Sequence, residues 1–196
     1  MDQSGEQSLW GFIYMKRRGD YRIFVGAFPA GELAAEIQGV RERYDLKTAR
    51  IAPPHVTVWG TAWRKGTATA ENEQETIDQL AEVVPRLPSF ELVLGGIQTF
   101  TQRVVYLDVE ESAGLRVVRK GLVTALGGDK HGRQFTPHLT LAMRLKRPQV
   151  GRMVADLQAS KWEQERFRAP ITALQLMQRA PDDPAWRVIG VFALNS

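Results

Sequence analysis

The chain has 196 residues, of which 43% are hydrophobic and 24% charged, with a formal net charge of +4 and no cysteine. These proportions are typical of a soluble globular protein, and the length suffices for one large domain or two closely packed lobes. The lack of cysteine excludes disulfides, cysteine-ligated zinc and thiol nucleophiles, and it suits the cytoplasm, where we expect the protein to reside. The mild positive charge permits an anionic partner without requiring one.

The first twenty residues are predicted to be a partly disordered N-terminal extension ahead of a single bilobal domain at 21–196. Residues 1–8 are polar. The apolar segment 9–15 is too short to span a membrane, and its basic residues follow it, which is the reverse of a secretory signal. We therefore expect no membrane association.

Strands and helices alternate along the rest of the chain. Apolar/polar alternation and β-branched residues predict strands at 21–29, 53–60, 89–100, 103–110, 136–143, 171–179 and 186–194. Apolar residues three or four apart predict helices at 32–44, 72–84, 114–126 and 147–160. The second helix is predicted to start at Asn72, because Glu75 follows it three residues later.

This order contains an internal repeat: strand, helix, histidine-containing strand, helix and strand occur twice. Two copies predict two similar lobes about a pseudo-twofold axis. We therefore predict an α+β fold of two pseudo-symmetric lobes, each an antiparallel sheet with helices packed outside. The two histidine-containing strands would face a central groove.

Two of the three histidines lie in matching motifs, PHVTV at 54–58 and PHLTL at 137–141. Side chains two apart on a strand share a face, so His55 projects with Thr57, and His138 with Thr140. Imidazole exchanges protons near neutral pH, and a threonine hydroxyl can donate a hydrogen bond to a phosphoryl oxygen. One such motif alone is more often an ordinary strand. Its duplication favours a catalytic pair, with one histidine as base and the other as acid.

The paired motifs resemble those of the 2H phosphoesterases, and within them the bacterial 2′-5′ RNA ligase and RNA 2′,3′-cyclic phosphodiesterase branch. The similarity covers roughly residues 20–196 and includes the strands YRIFVGAFP and VIGVFAL. It implies the two-lobed α+β fold and hydrolysis of 2′,3′-cyclic phosphate RNA ends to 2′-phosphates, with reverse 2′-5′ ligation. It suggests His55 as the acid and His138 as the base, although the near-symmetry of the motifs leaves this assignment open.

The chain departs from the family pattern after each motif. The first motif runs directly into Trp59 and Gly60, where relatives often have a longer apolar tail. Relatives often have an arginine five residues after the second histidine, and here that position is Met143, followed by Arg144. These departures do not change the reaction that the resemblance implies, but they leave open which RNA the protein prefers as substrate.

Substrate contacts are predicted around the second motif. A basic run is usually a solvated face, but Lys130, Arg133 and Arg144 bracket the proposed phosphate site together with Lys146 and Arg147. We predict that Lys130, Arg133 and Arg144 contact RNA phosphate. Three aromatic residues can stack on a base. They are Phe135, which we include in the substrate site, Trp63 and Trp186, and we expect at least two of the three to belong to the core.

Several other features point away from further chemistry. His131 lies in a loop rich in glycine and charge without the threonine frame, so it is interpreted as a loop residue. No acidic cluster at ligand spacing accompanies the motif histidines, and we predict neither a metal nor another cofactor. The sequence contains no glycine-rich phosphate-binding loop of the P-loop kind, so nothing in it indicates an ATP-driven ligase.

Two alternatives remain open at this stage. The protein can be a phosphodiesterase of small cyclic nucleotides or 2′-5′-linked oligonucleotides, which a narrow closed groove would favour over an open basic trough. It can also be a non-catalytic RNA-binding module, which predicts binding without turnover. The expected partners are RNA ends or small cyclic nucleotides, and the chain is expected to be a monomer.

Overall fold

The computed structural model describes residues 20–60, 63–128 and 135–196, which build one antiparallel sheet with helices packed against it. The predicted N-terminal extension lies outside these residues except for its last position. Eight strands form the sheet: β1 (Arg22–Ala27), β2 (Val56–Gly60), β3 (Phe90–Phe100), β4 (Val104–Val109), β5 (His138–Met143), β6 (Phe167–Ile171), β7 (Ala173–Arg179) and β8 (Arg187–Ala193).

The helices lie between these strands in the chain. They are α1 (Gly31–Tyr44), α2 (Leu46–Ile51), α3 (Gln74–Val83), α4 (Ala113–Leu126), α5 (Arg147–Gln158) and α6 (Lys161–Gln164). Their apolar stripes are buried, as Leu115, Val118 and Leu122 of α4 show. In the described part of the chain, no helix is long and apolar enough to cross a bilayer.

The sheet has the strand order β6-β3-β4-β5-β2-β1-β7-β8, and every pair is antiparallel. The contact between β5 and β2 divides it into a first half, β2-β1-β7-β8, and a second half, β5-β4-β3-β6. In each half the histidine-containing strand is innermost, and its neighbour is the strand that precedes it in the chain repeat. The predicted α+β fold of two pseudo-symmetric lobes is confirmed, and the lobes are halves of one sheet.

Each histidine-containing strand carries a β-bulge at the same position relative to its motif. The β1–β2 register skips Val58, and the β4–β5 register skips Leu141. Both are the residue that follows the motif threonine. A bulge re-aims the side chains beyond it, so both strands turn in the same way after their threonine. The matching bulges support the internal repeat independently of the residue pattern.

The sequence pattern misses one strand and two short helices. Strand β6 contains Pro170, which lowers strand propensity but is tolerated here because β6 lies at the edge of the sheet. The predicted strand at 171–179 is divided at Thr172, since Ile171 ends β6 and β7 begins at Ala173. Helices α2 and α6 span only six and four residues, too few for a periodic signal.

The predicted helix start at Asn72 is wrong. A 3₁₀ turn at Glu71–Glu73 precedes α3, which begins at Gln74. The Asn72 side chain donates a hydrogen bond to the carbonyl of Thr67 at 2.6 Å and does not cap the helix.

A buried carboxylate organises this segment instead. Glu73 is only 1% exposed, and it accepts hydrogen bonds from the hydroxyls of Tyr21 at 2.6 Å and Thr76 at 2.7 Å. Arg64 forms an ion pair with the same carboxylate at 3.1 Å. Thr76 is local, but Tyr21 directly precedes β1 and Arg64 lies in the connection after β2, so the sequence around residue 72 carries no sign of these two partners.

Candidate active site

The two histidine-containing strands are neighbours at the middle of the sheet. Val56 on β2 pairs with Leu139 on β5, and both side chains are fully buried. Side chains alternate between the two faces of a strand, so the residues that flank this pair point to the opposite, half-exposed face. The motif histidines and threonines are the flanking residues.

Continued by one residue in each direction, this register places His55 opposite Thr140 and Thr57 opposite His138. Directly aligned residues of an antiparallel pair have their Cβ atoms about 4.5–5.5 Å apart and share one face of the sheet. Each histidine therefore adjoins the threonine of the other motif. The structure brings the four predicted residues together in one two-by-two arrangement, which can hold an anion between two imidazoles and two hydroxyls.

Both imidazoles are oriented in the same way. Nδ1 of His55 lies 2.8 Å from the carbonyl oxygen of Pro53, and Nδ1 of His138 lies 2.8 Å from that of Thr136. A carbonyl only accepts hydrogen bonds, so Nδ1 must carry the proton in both rings. Nε2 is therefore the nitrogen that each ring offers to a substrate, as an acceptor when neutral and a donor when protonated.

His55 is enclosed by aromatic rings of the first half. Its ring stacks on Phe24 with centroids 4.6 Å apart, and Phe28 lies 5.3 Å away. Gly26 on β1 lies between the two phenylalanines in the chain, and a Cβ there would fall 2.8 Å from the ring of Phe28 and 2.9 Å from that of Phe24. Glycine at this position therefore allows the two rings to close around the imidazole.

Arg41 of α1 holds the segment that precedes His55. Its side chain is 2% exposed and donates hydrogen bonds to the carbonyls of Ala52 at 2.7 Å and Thr48 at 3.1 Å, and to the side chain of Gln38 at 2.9 Å. Burial lowers the pKa of Arg41 to about 10, so the guanidinium stays charged at neutral pH.

The surroundings of His55 favour its neutral form. Desolvation by the enclosing groups lowers the pKa of His55 to about 4, although part of the residue remains accessible to solvent. The positive charges of Arg41 and His138 act in the same direction, and the hydrogen bond to Pro53 opposes them. His55 is thus neutral in the free protein at neutral pH, and the two imidazoles interact electrostatically.

His138 has a different environment in the second half. Phe100 meets its ring edge-on at 4.9 Å, Tyr106 lies 5.3 Å away, and these two aromatic rings stack on each other at 4.2 Å. Asp108 on β4 is aligned with His138 across the strands. The second histidine therefore has a carboxylate on its neighbouring strand, whereas the first has a buried guanidinium nearby.

Asp45 connects the two halves close to this site. It caps α2 by accepting a hydrogen bond from the backbone N–H of Thr48 at 3.0 Å. The same carboxylate accepts from the backbone N–H of Met143 at 2.9 Å, at the end of β5. The side chain of Asp45 thus holds the end of β5, which carries the second motif.

Of the four residues predicted to contact substrate, the structure describes two, Phe135 and Arg144. Lys130 and Arg133 lie outside the described residues, as does His131. Arg144 is exposed immediately after β5, with a left-handed backbone (φ 59°). Phe135 packs against the core, and the guanidinium of Arg119 lies 3.9 Å over its ring.

The expectation that at least two of the three aromatic candidates are core residues is wrong. Phe135 packs on the core, but Trp63 and Trp186 are half-exposed and lie on either side of Arg22, a residue absent from the sequence-based candidates. One signal in the sequence could have pointed to Arg22. It lies two residues before Phe24 on the same predicted strand, so the two side chains share one face of the sheet.

No group of three or more histidine, aspartate or glutamate side chains in the described ranges is placed to hold a metal ion. Independence from metal stays a prediction.

Comparison with known proteins agrees with this architecture. The family model described as the 2′-5′ RNA ligase superfamily matches residues 29–183. The chain belongs to this superfamily, the 2H phosphoesterases, as the paired motifs indicated.

Individual relatives are distant. An inferred phosphoesterase of Oceanobacillus iheyensis is 24% identical over 175 residues, which cover 87% of this chain and 96% of the relative. The structure of TT0787 from Thermus thermophilus has a TM-score of 0.61 at 18% identity and covers 89% of this chain and 98% of its own. LigT of Escherichia coli in its apo form has a TM-score of 0.56 at 20% identity, with 90% and 99% covered. The two solved structures share the fold.

Proposed function

We propose that this phosphoesterase hydrolyses 2′,3′-cyclic phosphates at RNA ends to 2′-phosphates, with the motif residues His55, His138, Thr57 and Thr140 as its catalytic residues. The observation that carries the proposal is the β2–β5 register, which aligns each histidine with the threonine of the other motif. Hydrolysis of a cyclic phosphodiester requires a base on the side of the attacking water and an acid on the side of the leaving oxygen. Two imidazoles on one sheet face, each presenting Nε2, supply both.

The reaction follows from this arrangement. Nε2 of the neutral histidine takes a proton from water as the water oxygen bonds to phosphorus. The bond between phosphorus and the ribose 3′ oxygen breaks, and the protonated histidine gives its Nε2 proton to that oxygen. The hydroxyls of Thr57 and Thr140 donate hydrogen bonds to the non-bridging oxygens, which carry more charge as the bond to water forms.

Ligation uses the same groups with another nucleophile. When an RNA 5′-hydroxyl replaces water, the same displacement at phosphorus joins the two ends through a 2′-5′ linkage. LigT of E. coli, which shares the fold, has been crystallised with phosphate and with 3′-AMP. A phosphate between the histidines and a nucleoside beside them is the binding mode that we propose for this chain.

The test is turnover of a short RNA with a 2′,3′-cyclic phosphate end in the presence of EDTA, with chromatographic identification of the product. We expect a 2′-phosphate end and an unchanged rate on chelation. A 3′-phosphate product would show that the ribose 2′ oxygen, and not the proposed 3′ oxygen, is the leaving group. Loss of activity in EDTA with recovery on adding zinc or manganese would replace the two-histidine mechanism by a metal-dependent one.

A further inference from the structure

A line of stacked side chains leads from His55 to the edge of the candidate active site. Phe24 stacks on His55, and Trp186 meets Phe24 edge-on with centroids 4.7 Å apart. The guanidinium carbon of Arg22 lies 5.6 Å from the ring of Trp186 and 4.7 Å from the ring of Trp63. We call Trp63, Arg22 and Trp186 the outer cluster.

The outer cluster is held from both sides although its indoles are half-exposed. Arg64, next to Trp63, exchanges two backbone hydrogen bonds with Tyr21 on the strand of Arg22, at 2.9 and 2.7 Å. Both Arg64 and Tyr21 also bind the buried carboxylate of Glu73 through their side chains. The backbone N–H of Trp186 donates to the last carbonyl of α2 at 2.8 Å. These bonds hold the backbone at or next to both indoles in place.

Several arginine side chains surround the outer cluster. Within the described ranges, Arg22 forms no ion pair and no hydrogen bond through its side chain, and Arg144 forms no ion pair. Arg179 is aligned with Arg22 on β7. Partial burial lowers the pKa of Arg22, and the charges of Arg179 and Arg144 lower it further. Arg179 also lines a shallow pocket together with Lys47, Arg50 and three apolar residues, Leu46, Ile51 and Pro184.

We propose that the outer cluster binds the nucleotide that adjoins the one carrying the cyclic phosphate. The preferred substrate is then an RNA oligonucleotide rather than a cyclic mononucleotide. An indole face stacks on any base, and a guanidinium with free donors suits a phosphate group. Recognition of this kind is tolerant of sequence. This inference rests on the proposed function and adds a substrate class to it.

The experiment compares kcat/KM for a 2′,3′-cyclic mononucleotide with that for a tetranucleotide ending in the same cyclic nucleotide. The wild-type protein is expected to prefer the tetranucleotide. Trp63→Ala removes one stacking surface, and Arg22→Gln removes the guanidinium. Each is expected to lower the preference, by roughly 5- to 150-fold for the lost stacking surface. Arg152→Gln, an exposed arginine on α5, removes the same charge elsewhere and is the matched control.

A second measurement isolates the phosphate contact. Binding of a tetranucleotide with a 3′-phosphate end is measured over a range of salt concentrations. Each phosphate contact to a single strand contributes about 0.7 to the slope of log affinity against log salt. Arg22→Gln should reduce the slope by about that amount, whereas Trp63→Ala and Arg152→Gln should retain it.

The possible outcomes separate this inference from the proposed function. No turnover of either substrate by the wild-type protein contradicts the proposed function. Equal kcat/KM for the two substrates leaves the phosphoesterase intact and overturns the outer cluster as a binding site. The same conclusion follows if Trp63→Ala and Arg22→Gln lower both activities equally, because the variants would then act on His55 through Phe24.

Discussion

The two halves of the sheet share a backbone frame and differ in the charges that surround their histidines. Each half offers a histidine, a threonine two residues later and a bulge directly after it. Yet His55 lies between phenylalanine rings near the buried Arg41, whereas His138 has Asp108 aligned on its neighbouring strand. The repeat supplies the geometry, and the substitutions between its copies supply the chemical asymmetry.

That asymmetry is what an acid–base pair requires. Two identical imidazoles would have the same affinity for the single proton that they share, so half of the molecules would hold it on the wrong ring. Burial among the phenylalanine rings disfavours the proton on His55 before substrate binds, and the charge of Arg41 adds a smaller contribution in the same direction. The bias arises from Phe24, Phe28 and Arg41, which all lie outside both motifs.

The largest expected effect is loss of either motif histidine. His55→Ala and His138→Ala each remove one proton-transfer group, and we expect kcat for the cyclic-phosphate RNA to fall by about 10²–10⁴-fold in each case. Replacing the third histidine by His131→Ala is the matched control and should leave the rate unchanged. A histidine whose alanine variant stays within tenfold of wild type would not be a proton-transfer group.

The motif threonines should matter less than the histidines and equally in both halves. Thr57→Ala and Thr140→Ala each remove one hydrogen bond to a charged oxygen, worth about 1.5–3 kcal/mol, or roughly 10- to 150-fold in kcat/KM. Thr57→Ser and Thr140→Ser keep the hydroxyl and should restore most of the rate. Full activity of both alanine variants would show that these residues serve only the strands.

Loss of Asp45 should weaken the connection between the halves. Asp45→Ala leaves the N–H groups of Thr48 and Met143 without their acceptor, and we expect the free energy of unfolding to fall by about 1–3 kcal/mol in a denaturant titration. The end of β5 should also become more mobile, which amide exchange at Met143 can detect. An unchanged exchange rate there would show that the strand end does not depend on Asp45.

The sequence predicts the repeated frame well because the frame is local. Alternation within PHVTV and PHLTL defines both strands and the face that each histidine shares with its threonine. It does not reveal that β2 and β5 pair directly, since strand pairing is a long-range choice. The asymmetry is less accessible still: Arg41 reads as one charged residue of an amphipathic helix, and only tertiary structure shows it buried near His55.

The sequence offers Trp63 and Trp186 as possible stacking residues, but Arg22 and the association of the three residues were missed for a similar reason. Arg22, Trp63 and Trp186 come from three separate segments of the chain, and no spacing within any one of them marks a site. The buried Glu73 that anchors the connection near Trp63 lies in a segment whose pattern predicted an ordinary helix start. A network built from distant partners leaves no periodic signal.

The smallest effect concerns the pH dependence, and it tests the asymmetry between the halves directly. The pKa of His55 in the free protein is lowered to about 4, so His55 loses its proton as the pH rises through that value, well below the usual range of histidine. Because kcat/KM reports the free enzyme, its profile should contain a transition near pH 4 that His55→Ala abolishes. The profile of kcat reports the substrate complex, where the bound phosphate anion favours imidazolium, so the same transition should appear there at higher pH.

The direction of this transition in the pH profile shows whether His55 is the base or the acid. If activity rises through it with increasing pH, His55 is the base; if activity falls, His55 is the acid and takes its proton when the phosphate binds. Arg41→Gln removes a charge that disfavours imidazolium, so it should move the transition in kcat/KM to higher pH with little change in the maximum. Arg41→Lys keeps the charge and should leave the transition in place even if its lost hydrogen bonds lower the melting temperature. A profile with no transition below pH 6 would mean that burial does not lower the pKa of His55. A transition that Arg41→Gln does not move would mean that the charge of Arg41 does not contribute to that pKa.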